Sequence, residues 1–104
     1  MTDPRRLRHV VLFAFKPGTP AGELRRIEEE FAALPALIPQ IREFEWGTDE
    51  SPEGLADGHT HCFLVTFASA AERDAYLVHP EHERFVEVLE RHLERATVVD
   101  YWAR

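Results

Sequence analysis

Two segments of this chain are apolar on both of the faces that a β-strand presents. They are LRHVVLFAFK at residues 7–16 and HTHCFLVTFAS at residues 59–69, and both are rich in β-branched and aromatic residues. Because side chains alternate between the faces of a strand, the first segment divides into two sets. One face carries His9, Val11, Phe13 and Phe15, and the other carries Val10, Leu12 and Ala14. The chain must therefore fold so that both sides of its sheet are covered.

A helix signal follows each of these strands. The apolar residues that recur at helical spacing after the first strand are Leu24, Ile27, Phe31 and Leu34. Pro20 suits the first turn of this helix, and we expect Pro35 and Pro39 to end it. After the other strand, Ser69 and Glu72 have the spacing of a capping box, which predicts a helix that reaches about Val78.

Two shorter patterns predict the remaining strands. REFEWGTD at residues 42–49 alternates over Phe44 and Trp46, and ATVVDYW at residues 96–102 is the last apolar run. The element order is βαββαβ. This order indicates an α+β, ferredoxin-like fold, a four-stranded antiparallel sheet with helices on one face.

The second apolar face of the sheet predicts self-association. Two helices cover only one face of a four-stranded sheet, so the other face would meet water in a monomer. We assign to it Val10, Leu12, Leu64, Val98 and Trp102. A homodimer that joins the two sheets face to face is the simplest way to cover it.

Composition limits the classes of partner. With 104 residues the chain suits one domain, spanning residues 1–104. The 12 basic and 19 acidic residues give a net charge of −7, which disfavours nucleic acid and anionic membranes. No apolar run suggests a signal peptide or a membrane span, so we expect a cytoplasmic protein. The single cysteine, Cys62, cannot form an internal disulfide, and we expect its thiol to be buried.

The segment RDAYLVHPEHERF, residues 73–85, contains the main catalytic candidates. Pro80 interrupts the helix, so the chain must bend and restart there, with His79 as the cap of the new helix. His82 then lies in a first turn, where the helix dipole favours a neutral imidazole that accepts protons. The bend brings the Tyr76 phenol toward it. In the alternative interpretation, Tyr76 is a core aromatic, His79 only a cap and His82 a surface residue.

His9 and His61 add two polar groups to the inward side of apolar strands, where such groups are costly unless paired. Together with Tyr76 and His82, they predict a pocket for a small molecule between helices and sheet. The close pairs His59/His61 and His79/His82 raise the alternative of a metal site. Because no carboxylate stands at a convincing ligand spacing, we expect no stoichiometric zinc.

Five segments of the chain resemble the stress-responsive α/β-barrel (Dabb) family: HVVLFAFK, FEWG, GHTHCFLVTFAS, AYLVHPEH and VVDYW. The resemblance extends from Arg8 to Trp102 and implies a ferredoxin-like protomer that dimerises through its sheet into a dimeric α/β barrel. It also implies a likeness to the family's plant polyketide cyclases, which act without a cofactor. On this basis Tyr76 and His82 are candidate catalytic residues. The candidate substrate-binding residues are His9, His61, Val11, Phe13, Ile27, Phe31 and Phe63.

The chemistry that these residues could perform is proton transfer. His82 would remove a proton from a carbon beside carbonyl groups, and Tyr76 would donate a hydrogen bond to the oxyanion that forms. His9 and His61 would orient the substrate. Helix one departs from the cyclases, since Ile27, Glu28 and Phe31 stand where those enzymes have neighbouring aromatics. Two functions follow from the sequence: a cofactor-free cyclase or isomerase acting on a β-keto or phenolic compound, or a noncatalytic, stress-related or ligand-binding homodimer.

Overall fold

The computed structural model describes residues 5–104, and its elements follow the predicted order. The strands are β1 (Leu7–Phe15), β2 (Glu43–Thr48), β3 (His61–Phe67) and β4 (Leu93–Trp102), and the helices are α1 (Ala21–Leu37), α2 (Ala70–Leu77) and α3 (Pro80–Glu90). The strands pair antiparallel in the order β2-β3-β1-β4. The ferredoxin-like fold is therefore confirmed, with the second helical segment divided into two helices.

Capping interactions fix the boundary between β3 and α2 and the junction between α2 and α3. The Ser69 hydroxyl accepts a hydrogen bond from the backbone N–H of Glu72 at 3.1 Å, and the Glu72 carboxylate accepts one from Ala68 N–H at 2.8 Å. At the junction, Nδ1 of His79 accepts from Glu81 N–H at 3.1 Å, and Pro80 is the first residue of α3. The predicted capping box, bend and restart are all confirmed.

Pro35 does not end α1, contrary to our expectation. The helix continues to Leu37 and ends before Pro39. Pro35 lacks an N–H group, so the helix loses one hydrogen bond near its end. Leu34 and Ile38 lie buried on either side of it, with exposures of 2% and 0%, and their packing against the core holds the last turn in place.

The side chains of β4 face the opposite sides of the sheet from those that we assigned to them. Val98 pairs with Val11 and Trp102 pairs with Leu7, both of which lie on the helix-covered face. Directly opposed residues share a face, so Val98 and Trp102 lie on the helix side and not on the open face. The residues of the open face in the three longer strands are Arg8, Val10, Leu12, Ala14, Cys62, Leu64, Thr66, Arg95, Thr97, Val99 and Tyr101.

Cys62 is exposed, so the expectation of a buried thiol is wrong. It pairs with Leu12 and with Gly47 on the open face, where no helix covers the sheet. The core lies on the opposite face, between the sheet and the three helices. No helix within residues 5–104 is long and apolar enough to cross a membrane.

Candidate active site

A cavity of about 300 Å³ lies between the sheet and helices α2 and α3, beside strand β4. Strand β1 supplies three lining residues at alternate positions, His9, Val11 and Phe13, as a single strand face requires. The other lining residues are Phe31, Tyr76, Leu77, His82, Phe85, Val86, Leu89, Ala96, Val98 and Asp100. Three of the four polar groups that we predicted for one pocket, His9, Tyr76 and His82, are therefore brought together.

Tyr76 and His82 lie at the polar end of the cavity. Their ring centroids are 4.5 Å apart, because the break at Pro80 places the end of α2 beside the start of α3. Nδ1 of His82 lies 3.2 Å from the carbonyl oxygen of Leu77. A carbonyl only accepts, so Nδ1 carries the proton and Nε2 is the nitrogen that can accept one.

The environments of these two groups suit opposite roles. Burial of the ring lowers the pKa of His82 below its ordinary value, and His9 and His79 lower it further against the opposing effects of Leu77 and Glu83. The imidazole is therefore neutral at pH 7. Burial raises the pKa of the Tyr76 phenol far above its ordinary value, so this group keeps its proton and donates. The Tyr76 hydroxyl has no hydrogen-bond partner among residues 5–104.

His9 lies against Tyr76, with the ring centroids 5.8 Å apart in an edge-on arrangement. Its Nδ1 donates to Oδ1 of Asp100 at 2.7 Å, and Nη1 of Arg73 donates to the other carboxylate oxygen at 3.1 Å. The second ring nitrogen, Nε2, forms no hydrogen bond with any of residues 5–104. His9 and His82 therefore each retain one nitrogen that can accept a hydrogen bond from a bound molecule.

His61 does not line this cavity. It pairs across the sheet with Phe13, whereas His9 pairs with Val65, so the two histidines stand about 13 Å apart along the strands. Both nitrogens of His61 are engaged, Nε2 by Oε2 of Glu28 and Nδ1 by the Thr60 hydroxyl, each at 2.7 Å. The predicted convergence of four polar groups is thus corrected to three, and His61 is a paired histidine of the interior.

Two further predicted binding residues are also absent from the cavity wall. Ile27 and Phe63 are fully buried in the core, with 0% exposure each. Phe63 stacks on Phe31 at a centroid distance of 4.2 Å and an interplanar angle of 13°. Phe31 faces the cavity and Phe63 lies behind it, so this stack separates the cavity from the region of His61.

Sequence reasoning missed Asp100 and Arg73. An acidic residue inside the apolar run VVDYW was the available signal, because a carboxylate on the helix-covered face of a strand is stabilised by a hydrogen-bonding partner on the neighbouring strand. Arg73 gave no such signal, since an arginine in a helix is ordinarily solvated. Within residues 5–104, no three histidine, cysteine or acidic side chains stand close enough together to hold a metal ion.

Comparison with known sequences finds a match to the family model described as Stress responsive A/B Barrel Domain over residues 7–103. A stress-response A/B barrel domain-containing protein of Arabidopsis thaliana is 35% identical over 95 residues, which cover 91% of this chain and 87% of the relative. Olivetolic acid cyclase of Cannabis sativa is 26% identical over 98 residues, covering 94% of this chain and 97% of the cyclase.

Solved structures give the same match at the level of the fold. A hydroxynitrile lyase from Passiflora edulis superposes with a TM-score of 0.90 at 28% identity, covering 98% of this chain and 96% of the lyase. A dimeric ferredoxin-like protein of unknown function from Jannaschia sp. superposes with a TM-score of 0.78 at 31% identity, covering 92% of this chain and 97% of that protein.

Proposed function

The chain belongs to the stress-responsive A/B barrel domain family, and we propose that it is a homodimeric, cofactor-free enzyme that transfers a proton at a carbon beside a carbonyl group. The observation that carries this proposal is the pairing of a neutral histidine with a protonated tyrosine, 4.5 Å apart between ring centroids, in one cavity. Two similar proteins bear the names of a cyclase and a lyase, which supports a catalytic role.

His82 is the proposed base. Its Nε2 carries a lone pair, and the lowered pKa of the ring keeps the imidazole neutral at pH 7. A base whose charge changes near the working pH is efficient in proton transfer. Tyr76 is the proposed donor to the developing oxyanion, since its raised pKa keeps the hydroxyl protonated. His9 supplies a second acceptor that orients the substrate.

The substrate that fits is a small neutral molecule, such as a β-keto or phenolic compound. The polar groups lie at the His9 end of the cavity, and the opposite end is lined by Phe13, Leu89 and Ala96. Among the lining residues there is no lysine or arginine, and the one carboxylate, Asp100, is already paired. A carboxylate or phosphate on the substrate would therefore lack a counter-charge inside the cavity.

The exchange of an activated C–H proton tests this proposal directly. We expect the protein to accelerate the exchange of the C2 proton of ethyl 2-methylacetoacetate with D2O, followed by NMR at pH 7. His82→Gln should lower the rate by about 100-fold or more while the fold is retained. Tyr76→Phe removes only the hydroxyl, so it should lower kcat more than it changes KM.

The same experiment separates catalysis from simple ligand binding. The apolar end of the cavity favours binding whether or not chemistry follows, so a noncatalytic ligand-binding homodimer is the second candidate. If the ester changes the chemical shifts of cavity residues but its C2 proton exchanges no faster than in buffer alone, the protein binds the ester without catalysis. That result would favour the second function. An exchange rate that is the same in wild type and His82→Gln would reject the proposed base.

Homodimerisation is proposed to occur through the open face of the sheet. Val99 and Tyr101 are 55% and 47% exposed there, next to Val10 and Leu64, and the similar Jannaschia protein is described as dimeric. Val99→Glu would bury a charge at such an interface and should give a monomeric mass in light scattering at micromolar concentration. The control is Val78→Glu, at an equally apolar but helix-side position, which should remain dimeric. A monomeric wild type would refute this assembly.

A further inference from the structure

Arg73 connects helix α2 to the cavity through two other elements. Its Nη1 donates to Oδ2 of Asp100 in β4 at 3.1 Å, and Oδ1 of Asp100 accepts from Nδ1 of His9 in β1 at 2.7 Å. The rest of the guanidinium is held by Asp74, whose Oδ1 lies 3.1 Å from both Nε and Nη2. Arg73 itself does not line the cavity.

The carboxylate of Asp100 is held at both oxygens. A carboxylate bound at one oxygen can rotate about its last bond, whereas opposed partners on the two oxygens fix its plane. The Asp100 side chain is 24% exposed, so without Arg73 its free oxygen could turn toward water and draw the other oxygen away from His9. His9 is 6% exposed, and within residues 5–104 this carboxylate is the only hydrogen-bond partner of its Nδ1.

The identity of the protonated nitrogen of His9 depends on this contact. Because a carboxylate only accepts, it holds the proton on Nδ1 and leaves the lone pair on Nε2. If the carboxylate moved away, the neutral ring would exchange between its two tautomers. In one of these Nε2 would carry the proton and could no longer accept a hydrogen bond.

We propose that Arg73 is a positioning residue that acts through Asp100 to keep Nε2 of His9 available as an acceptor in the cavity. The polar end then presents two acceptors, on His9 and His82, and one donor, on Tyr76. With His82 acting as the base, the acceptor on His9 and the donor on Tyr76 match the enol form of a β-keto ester, whose hydroxyl donates and whose carbonyl oxygen accepts. The positioning of His9 stands without the proposed function, but its consequence for turnover rests on that function.

Nitrogen-15 NMR of the imidazole rings tests the positioning at pH 7.5. In the wild type, we expect His9, assigned with a His9→Gln variant, to show a single tautomer with a protonated Nδ1. Arg73→Met should give a mixture of tautomers and lower kcat for ethyl 2-methylacetoacetate exchange by about tenfold with little change in KM. Arg73→Lys keeps a positive charge near Asp100. It should therefore restore part of the Nδ1-protonated tautomer of His9 and part of the lost kcat.

Arg84→Met is the matched control, because Arg84 forms an ion pair with Glu81 on α3 outside the cavity. It should leave the His9 tautomer and kcat unchanged. A purely structural role for Arg73 predicts lower stability in Arg73→Met with the tautomer unchanged, and that result overturns the proposal. If the wild type fails to exchange the probe, the proposed enzymatic function fails, while the tautomer of His9 in Arg73→Met still decides whether Arg73 positions the ring.

Discussion

His9 and His61 have the same sequence environment but belong to different regions of the molecule. Both face inward near the start of an apolar strand, and both bind a carboxylate at 2.7 Å. His61 uses its second nitrogen on Thr60, whereas the second nitrogen of His9 faces a cavity shared with Tyr76 and His82. An inward histidine is thus a candidate for chemistry only when the fold leaves one of its nitrogens uncommitted.

The two regions are separated by aromatic side chains. Phe31 stacks on Phe63, and Phe63 lies nearly parallel to Trp46 and to His61, at interplanar angles of 15° and 16°. Trp46 and Phe15 complete the surroundings of His61, the latter in an edge-on contact at 5.1 Å. These rings keep His61 out of the cavity that His9 shares with Tyr76 and His82. His61 instead lines a separate cavity of about 400 Å³ beside Trp46 and Cys62, to which neither Tyr76 nor His82 contributes.

Truncating Phe31, the aromatic residue that separates the two regions, is expected to have the largest effect on stability. Phe31→Ala deletes a ring that is 2% exposed, and we expect the free energy of unfolding to fall by about 3–5 kcal/mol. Leu37→Ala, on the same helix but 50% exposed, should change it by less than about 0.5 kcal/mol. Chemical denaturation measures both. Equal losses in the two variants would mean that Phe31 does not separate packed regions.

Replacing His9 or His61 by glutamine should affect catalysis differently in the two regions. His9→Gln should lower the exchange rate of ethyl 2-methylacetoacetate by about 10- to 100-fold, because an oriented acceptor is lost from the cavity. His61→Gln should keep the rate within about threefold, since the ring lies outside this cavity and both of its nitrogens are bound to Glu28 and Thr60. If the two variants lose the same activity, the distinction between the histidines fails.

Removing the partner of His61 tests whether that region is structural. Glu28→Ala leaves Nε2 of a buried ring without its acceptor and should lower the free energy of unfolding by about 1–2 kcal/mol. Glu29→Ala is the control, because it makes the same change at the exposed neighbouring position. Thermal or urea denaturation that places both variants within about 0.5 kcal/mol of each other would contradict a structural ion pair.

The smallest expected effect concerns pH and the cavity region. The pKa of His82 is lowered in the folded protein, so between that value and 6.5 the unfolded chain binds more protons than the folded one. Stability should therefore decrease as pH falls through this interval and be constant above it for this group. Urea denaturation at pH 7.5 and 5.5 should show a smaller decrease in His82→Gln than in wild type. An identical decrease in both proteins would show that the titration of His82 does not contribute to the pH dependence of stability.

Much of the fold could be predicted because the signals were local. The apolar strands, the Ser69 capping box and the interruption at Pro80 each depend on residues a few positions apart. The pairing of Tyr76 with His82 was predictable for the same reason. Both residues belong to one segment, and the proline dictates the bend between them.

The remaining features depend on strand register, which composition does not encode. The run VVDYW is apolar at positions of both parities, so alternation alone could not decide which face Val98 and Trp102 occupy. The antiparallel register also places His9 and His61 at opposite ends of the β1–β3 pair. Asp100, Glu28 and Arg73 become partners only once that register and the helix positions are fixed.

Pro80 also sets the rotational phase of the candidate catalytic pair. On one continuous helix, six residues correspond to about 600°, so Tyr76 and His82 would differ by about 240° around the axis and point apart. The break cancels this angular offset by starting a second axis at position 80. Insertion or deletion of a single residue between positions 76 and 82 would shift the phase by about 100°. The spacing of this segment is thus as specific as the identity of its side chains.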